Sequence, residues 1–144
     1  MKYLKLFEEY LDPTNEILCD IEDMCLELKD DGCSVFIKKI KNKKTSYTLT
    51  IDRHNIYYDY IPFKYELVKD IIIRILNYVS VEKLMISRKH GLLNGFPCEY
   101  KIIDNELVPE FSGKNNFNTQ YVKDTNWSLD GADIICVEIK FKLK

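Results

Sequence analysis

The sequence predicts an α+β fold: an antiparallel sheet covered on one face by two main helices, in the order α-β-β-α-β-β-β, as a two-layer sandwich. Three observations carry that expectation. The stretch from Phe63 to Val79 repeats its aliphatic residues at helical spacing. The segments after Cys33 and before Lys144 alternate with a period of two. Strands follow one another through short polar turns instead of alternating with helices, which argues against a parallel sheet.

The central helix follows from its stripe. With about 100° between successive residues, Val68, Ile71, Ile72, Ile75 and Val79 share one face, flanked by Tyr65 and Leu76, while Glu66, Asp70, Arg74 and Asn77 fall opposite. Ile73 is the aliphatic exception on that polar side. Pro62 stands where a first-turn proline costs no hydrogen bond. The many β-branched residues give weak intrinsic helicity, so packing must hold this helix.

Upstream, Met1 to Leu11 (MKYLKLFEEYL) forms a short leader helix, over residues 1–12, that needs docking to be stable. Asp12 caps a second helix that opens on Pro13 and runs to about Asp30, with Ile17, Ile21, Met24 and Leu28 as its stripe and Leu18 and Cys25 beside it. Gly32 supplies its C-terminal stop. The outer face, with Glu16, Asp20, Glu22, Asp23, Glu27 and Asp31, reads as a solvated acidic surface.

Val35 and Ile37 then alternate with Phe36 and Lys38, and Tyr47, Leu49 and Ile51 with Ser46, Thr48 and Thr50, across a polar loop at Lys41-Asn42-Lys43-Lys44; this is a β-hairpin. Ile56, Tyr58 and Tyr60 suggest a short third strand. Leu84 and Ile86 mark another strand, Gly91 and Gly95 bracket a turn, and Tyr100–Ile103 pairs with Glu106–Phe111 across Asp104-Asn105, Pro109 placing the latter at an edge. Residues 112–131 have no period, which predicts either a long functional loop or an element whose pattern the sequence hides. In the last strand Ile135, Val137, Ile139, Phe141 and Leu143 face one way, and Glu138, Lys140 and Lys142 the other. The two cleanest apolar faces should meet, with Val137, Ile139 and Phe141 against Val68, Ile72 and Ile75 and the last strand central.

At 144 residues, 46% hydrophobic and 31% charged, the chain is a single α+β domain of ordinary globular composition. A net charge of −2 makes no global electrostatic case for nucleic acid or membrane. No apolar run approaches the roughly 20 residues a membrane helix needs, and Lys5, Glu8 and Glu9 interrupt any signal-peptide core. The five cysteines, Cys19, Cys25, Cys33, Cys98 and Cys136, include no C-x-x-C pair and read as free thiols packed as small hydrophobes. The expected setting is the cytoplasm of a host cell. Abundant Ile, Lys, Asn and Tyr, with Ala132 the only alanine, mark an AT-rich genome.

No catalytic constellation is legible. His54 and His90 stand in no metal or triad spacing, and no phosphate loop or nucleophile elbow occurs. The expectation is a protein that is not an enzyme, with no catalytic residues, no metal and no cofactor; a hydrolase built on His54 or His90 is the remote alternative. Two basic clusters, Lys38, Lys39, Lys41, Lys43 and Lys44 at the hairpin and Arg88 with Lys89 in the later turn, could bind a nucleic-acid single strand together with Tyr58 and its neighbours. The reading preferred over this is a normal solubilising turn whose edge lysines discourage sheet aggregation.

MKYLKLFEEYL resembles the starts of small uncharacterised proteins of T4-like and marine tailed phages. Its Met-Lys, aliphatic, Phe-x-Glu pattern resembles the capsid-targeting leader of phage internal head proteins. That resemblance implies a viral, virion-associated passenger whose leader is cut after a Leu-x-Glu site; Leu6-Phe7-Glu8 stands there, with Glu9 where that family prefers a small residue.

The leading functional expectation is therefore a small non-enzymatic bacteriophage-type protein acting by protein–protein interaction, virion-associated or host-modulating, with Ile73, Phe117, Tyr121 and Trp127 as contact anchors for a protein partner or a second copy. The alternative is a single-stranded nucleic-acid-binding protein using Lys38, Lys39, Lys41, Lys43, Lys44, Tyr58, Arg88 and Lys89.

Overall fold

The computed structural model describes residues 13–41, 45–57, 59–90, 93–110 and 129–143. The leader, Asp12, the loop tip at 42–44, and the stretch containing Phe117, Tyr121 and Trp127 lie outside the described residues. In chain order the elements are α1 (Pro13–Met24), α2 (Leu26–Asp30), β1 (Ser34–Lys39), β2 (Ser46–Asp52), β3 (Phe63–Lys64), α3 (Tyr65–Tyr78), β4 (Ser80–His90), β5 (Leu93–Ile103), β6 (Glu106–Pro109) and β7 (Asp133–Lys142). The strands make one antiparallel sheet in the order β1-β2-β7-β4-β5-β6, and β3 pairs with the start of β7. Helices plus an antiparallel sheet make this the α+β sandwich that the sequence implies.

The last strand is central, flanked by β2 and β4. Val137, Ile139 and Phe141 are buried in one continuous cluster with Val68, Ile72 and Ile75 of α3. The stripe of α3 is buried as the spacing requires: Tyr65, Val68, Ile71, Ile72, Ile75, Leu76 and Val79 all lie in the core. Glu66, Asp70, Arg74 and Asn77 are exposed. Tyr78 donates its hydroxyl to Asp20 Oδ2 at 2.6 Å, tying α3 to α1.

Three local expectations are corrected. Phe63 does not begin the central helix; it pairs with Ile134 as β3, so Pro62 precedes a strand and the helix starts at Tyr65. A sheet partner for two residues outweighs one more helical turn, and the N–H of Tyr65 is satisfied by the carbonyl of Ala132 at 3.1 Å. The second predicted helix is broken at Cys25, whose N–H bonds to the Glu22 carbonyl at 3.0 Å in a tightened turn. That break shifts the buried stripe to Ile21, Cys25 and Leu28. Gly95 and Pro97 lie within β5 instead of in a turn, with Pro97 opposite Ser87. Among the described residues no strand beyond β5 covers Pro97, because β6 reaches only to Tyr100, so its missing N–H breaks no ladder bond with them.

The expected stops hold. Gly32 has φ +89°, with Gly32 N–H bonded to the Lys29 carbonyl and Cys33 N–H to that of Leu28, a complete glycine-terminated helix end. Asp104 and Asn105 both have positive φ, 51° and 61°, the left-handed pair that a two-residue hairpin between β5 and β6 requires.

One face of the sheet packs on the helices. The opposite face presents Phe36, Thr48, Thr50, Glu138, Lys140, Met85 and Lys83, none of them fully buried.

Candidate functional site

The segment between β2 and β3, residues 53–62, is where the structure departs furthest from the sequence reading. Alternation at Ile56, Tyr58 and Tyr60 suggests a strand. The segment is instead a narrow loop folded back on itself. Ile61 N–H donates to the Arg53 carbonyl at 2.8 Å, His54 and Tyr60 form an isolated antiparallel bridge, and Asn55 N–H donates to the Asp59 carbonyl at 2.9 Å. Inside that frame the Asn55 side chain sets the tip: its Oδ1 accepts from the N–H of Tyr57 at 2.8 Å and of Asp59 at 3.0 Å. A short amide side chain replacing a backbone acceptor is what makes Asn a turn residue.

The base of the loop is equally anchored. Arg53 Nη2 donates to the Asp31 carbonyl at the end of α2 at 2.8 Å, and its guanidinium lies 5.9 Å over the Phe63 ring. The His54 ring sits 4.6 Å from that of Tyr60, and its Nδ1 is 3.4 Å from Asp52 Oδ1. Burial holds the Asp52 carboxyl above the usual carboxylate range, with His54 opposing the shift.

What this scaffold presents is apolar. Ile56 is 83% exposed, Tyr57 77%, Tyr60 51% and Ile61 37%. Scattered exposed hydrophobic residues are ordinary, but four in six positions on a hydrogen-bonded loop form a displayed patch. Tyrosine joins a large apolar body to a polar tip and loses little entropy on contact, the properties that concentrate it at protein interfaces.

Of the residues singled out from the sequence, Ile73 is half-buried on α3. Lys38, Lys39 and Lys41 gather at the turn end of the first hairpin, where with Ile40, Thr48 and Lys140 they line a depression of about 270 Å³. Arg88 does not join them. It is registered against Ile134, whereas Lys38 lies in the row that passes through Thr48 to Lys140. Six residues of β7 at about 3.4 Å each, roughly 20 Å, separate the two basic clusters. Lys89, beside Arg88 on β4, is exposed, and Lys43, Lys44 and Tyr58 fall outside the described residues. His90 closes β4.

One grouping has the composition of a nucleophilic site and lacks its electrostatics. Cys136 is the register partner of Asp52, which in turn contacts His54. Burial, then the Asp52 and Glu138 carboxylates, push the Cys136 thiol up to about 12. A reactive cysteine needs the opposite shift. Among the described residues there is no group of His, Cys, Asp and Glu arranged to hold a metal ion, and no helix long and apolar enough to cross a membrane.

Neither Ile56 nor Tyr57 stands out in the sequence as an anchor; the signal available was Asn55 four residues before Asp59, a turn spacing hidden by the alternating aromatics. No family model matches the chain, and no curated protein or solved structure matches it either.

Proposed function

We propose that this chain is a non-enzymatic protein-binding module that docks through the loop at residues 53–62. The observation that supports this most is the exposure of Ile56 and Tyr57 on a tip whose shape Asn55 sets before any partner arrives. A preformed loop loses little further conformational entropy on binding, so less of its contact energy is offset by ordering. The two side chains are adjacent in sequence, and the same loop exposes Tyr60 and Ile61, the composition of a small hot spot. A virion-associated or host-modulating place for such a module belongs to the same proposal and rests on the N-terminal resemblance.

The test is quantitative affinity capture from one extract with the wild-type chain and with an Ile56→Ser/Tyr57→Ser chain, alongside sedimentation of both to detect self-association. The proposal expects a discrete partner, or a dimer, with wild type that falls at least tenfold in the double variant. Identical captured sets and identical monomeric sedimentation would overturn it.

A further inference from the structure

We infer that the sheet face turned away from the helices carries a binding strip for the backbone of single-stranded nucleic acid, formed by Lys38, Lys140 and Lys83 with Phe36 as a stacking platform. The strip is made by register. Lys38 of β1 lies opposite Thr48 of β2, Thr48 opposite Lys140 of β7, and Lys140 opposite Lys83 of β4. Strands sit about 4.8 Å apart, so the three lysine positions span roughly 14 Å across the sheet.

None of the three is in an ion pair among the described residues. The nearby ion pairs use other lysines: Lys142 with Glu82 at 3.8 Å, and Lys101 with Glu110 at 3.2 Å. The depression at the hairpin end of the strip is lined by Lys38, Lys39, Lys41 and Lys140 with Thr48 and Ile40, and no carboxylate. Like charges directly opposite each other in a ladder are destabilising, so the Lys140–Lys83 pair costs the free protein stability that a polyanion would restore.

Phe36 decides between polyanions. It lies on the same face as Lys38, two residues before it on β1, and is 60% exposed. An aromatic ring beside a line of lysines fits a base stacked above a phosphate-contacting backbone, which a duplex with its bases paired inside cannot offer. Phe36 stands in the next row of the face, Phe36–Thr50–Glu138–Met85, in which Glu138, two strands from the ring, bounds the lysine row on that side. Glu82, bonded to Ser46 and Lys142, bounds it on the other. The site is therefore a narrow track across the strands, consistent with a chain whose overall charge is −2.

The experiment is fluorescence anisotropy of a labelled oligothymidylate with the full chain over a salt series, with phosphatidylserine vesicles as a second ligand. Binding at low salt should weaken with a log–log slope of about −2, three contacts at about 0.7 each. Lys140→Glu should lower affinity at least tenfold, and so should Lys38→Glu at the exposed edge. Phe36→Ala should lower it about tenfold without changing the salt slope. Lys140→Glu places opposite charges across the ladder, so its melting temperature should not fall, and lost binding cannot be ascribed to unfolding. Absence of binding at low salt, or affinity within twofold of wild type in both lysine variants, would overturn the inference. So would vesicle binding that depends on the lysines while Phe36→Ala leaves oligonucleotide affinity intact, since that assigns the strip to an anionic surface.

Discussion

The guanidinium of Arg53 donates from Nη2 to the carbonyl oxygen of Asp31 at 2.8 Å, joining the end of α2 to the base of the displayed loop. That carbonyl belongs to the last turn of a helix, where acceptors lack intrahelical partners and a cation is favourable. The same group lies 5.9 Å over the Phe63 ring. Arg53→Ala should cost about 1–2 kcal/mol in urea unfolding, from one charge-assisted hydrogen bond and one cation–π contact. An effect below about 0.3 kcal/mol would mean that the loop base does not depend on this link.

Phe141 is fully buried on the central strand and stacks on Tyr47 with ring centroids 5.7 Å apart. Phe141→Ala should destabilise by about 3–5 kcal/mol, measured by urea unfolding. A loss under about 1 kcal/mol would place the side chain in solvent and contradict the sandwich.

Two carboxylates predict opposite pH dependences. Glu66 Oε1 accepts the Gly131 N–H at 2.7 Å, and that bond holds its carboxyl below the ordinary glutamate value. A depressed folded value means that its contribution is present above the unfolded value and lost as pH falls through the folded one. Asp52 is raised by burial, so its effect has the other sign: stability is highest below the unfolded value and declines as pH rises through the folded one. In unfolding midpoints followed from pH 2.5 to 8, Glu66→Gln should flatten the acid limb. Asp52→Asn should raise stability at neutral pH relative to its effect in acid. Parallel curves for wild type and both variants would refute the assignment.

The thiols are held for packing. Burial pushes Cys25 and Cys98 up to about 11 and Cys136 up to about 12. At pH 8 these three should resist an aromatic disulfide reagent in the native protein and react promptly in denaturant, as read by mass spectrometry of the labelled peptides. Rapid native labelling of Cys136 would reopen a nucleophilic role beside Asp52 and His54.

Legibility in the sequence followed the range of the interactions. The buried face of α3 was readable from Val68 to Val79 because helical spacing and burial are the same information. The central position of β7 was readable because Ile135 to Leu143 alternates without interruption and its first half is apolar on both faces. Phe63 was misread because its partner, Ile134, lies far along the chain, and a long-range pairing overrides local period. The loop was misread because Ile56, Tyr58 and Tyr60 mimic a strand, while what shapes the segment is one Asn55 side chain bonding two backbone N–H groups. The lysine strip was visible only at Lys38; Lys83 and Lys140 become its neighbours through a strand register that no local pattern encodes.

The most direct measurement of the docking claim is site-specific photo-crosslinking from position 57, compared with the exposed position of Lys29 on α2. The account expects a discrete crosslinked species from position 57 alone, lost when Ile56→Ser removes the neighbouring anchor or Asn55→Ala releases the tip. Equal products from both positions, or a product from position 57 that survives both substitutions, would contradict it.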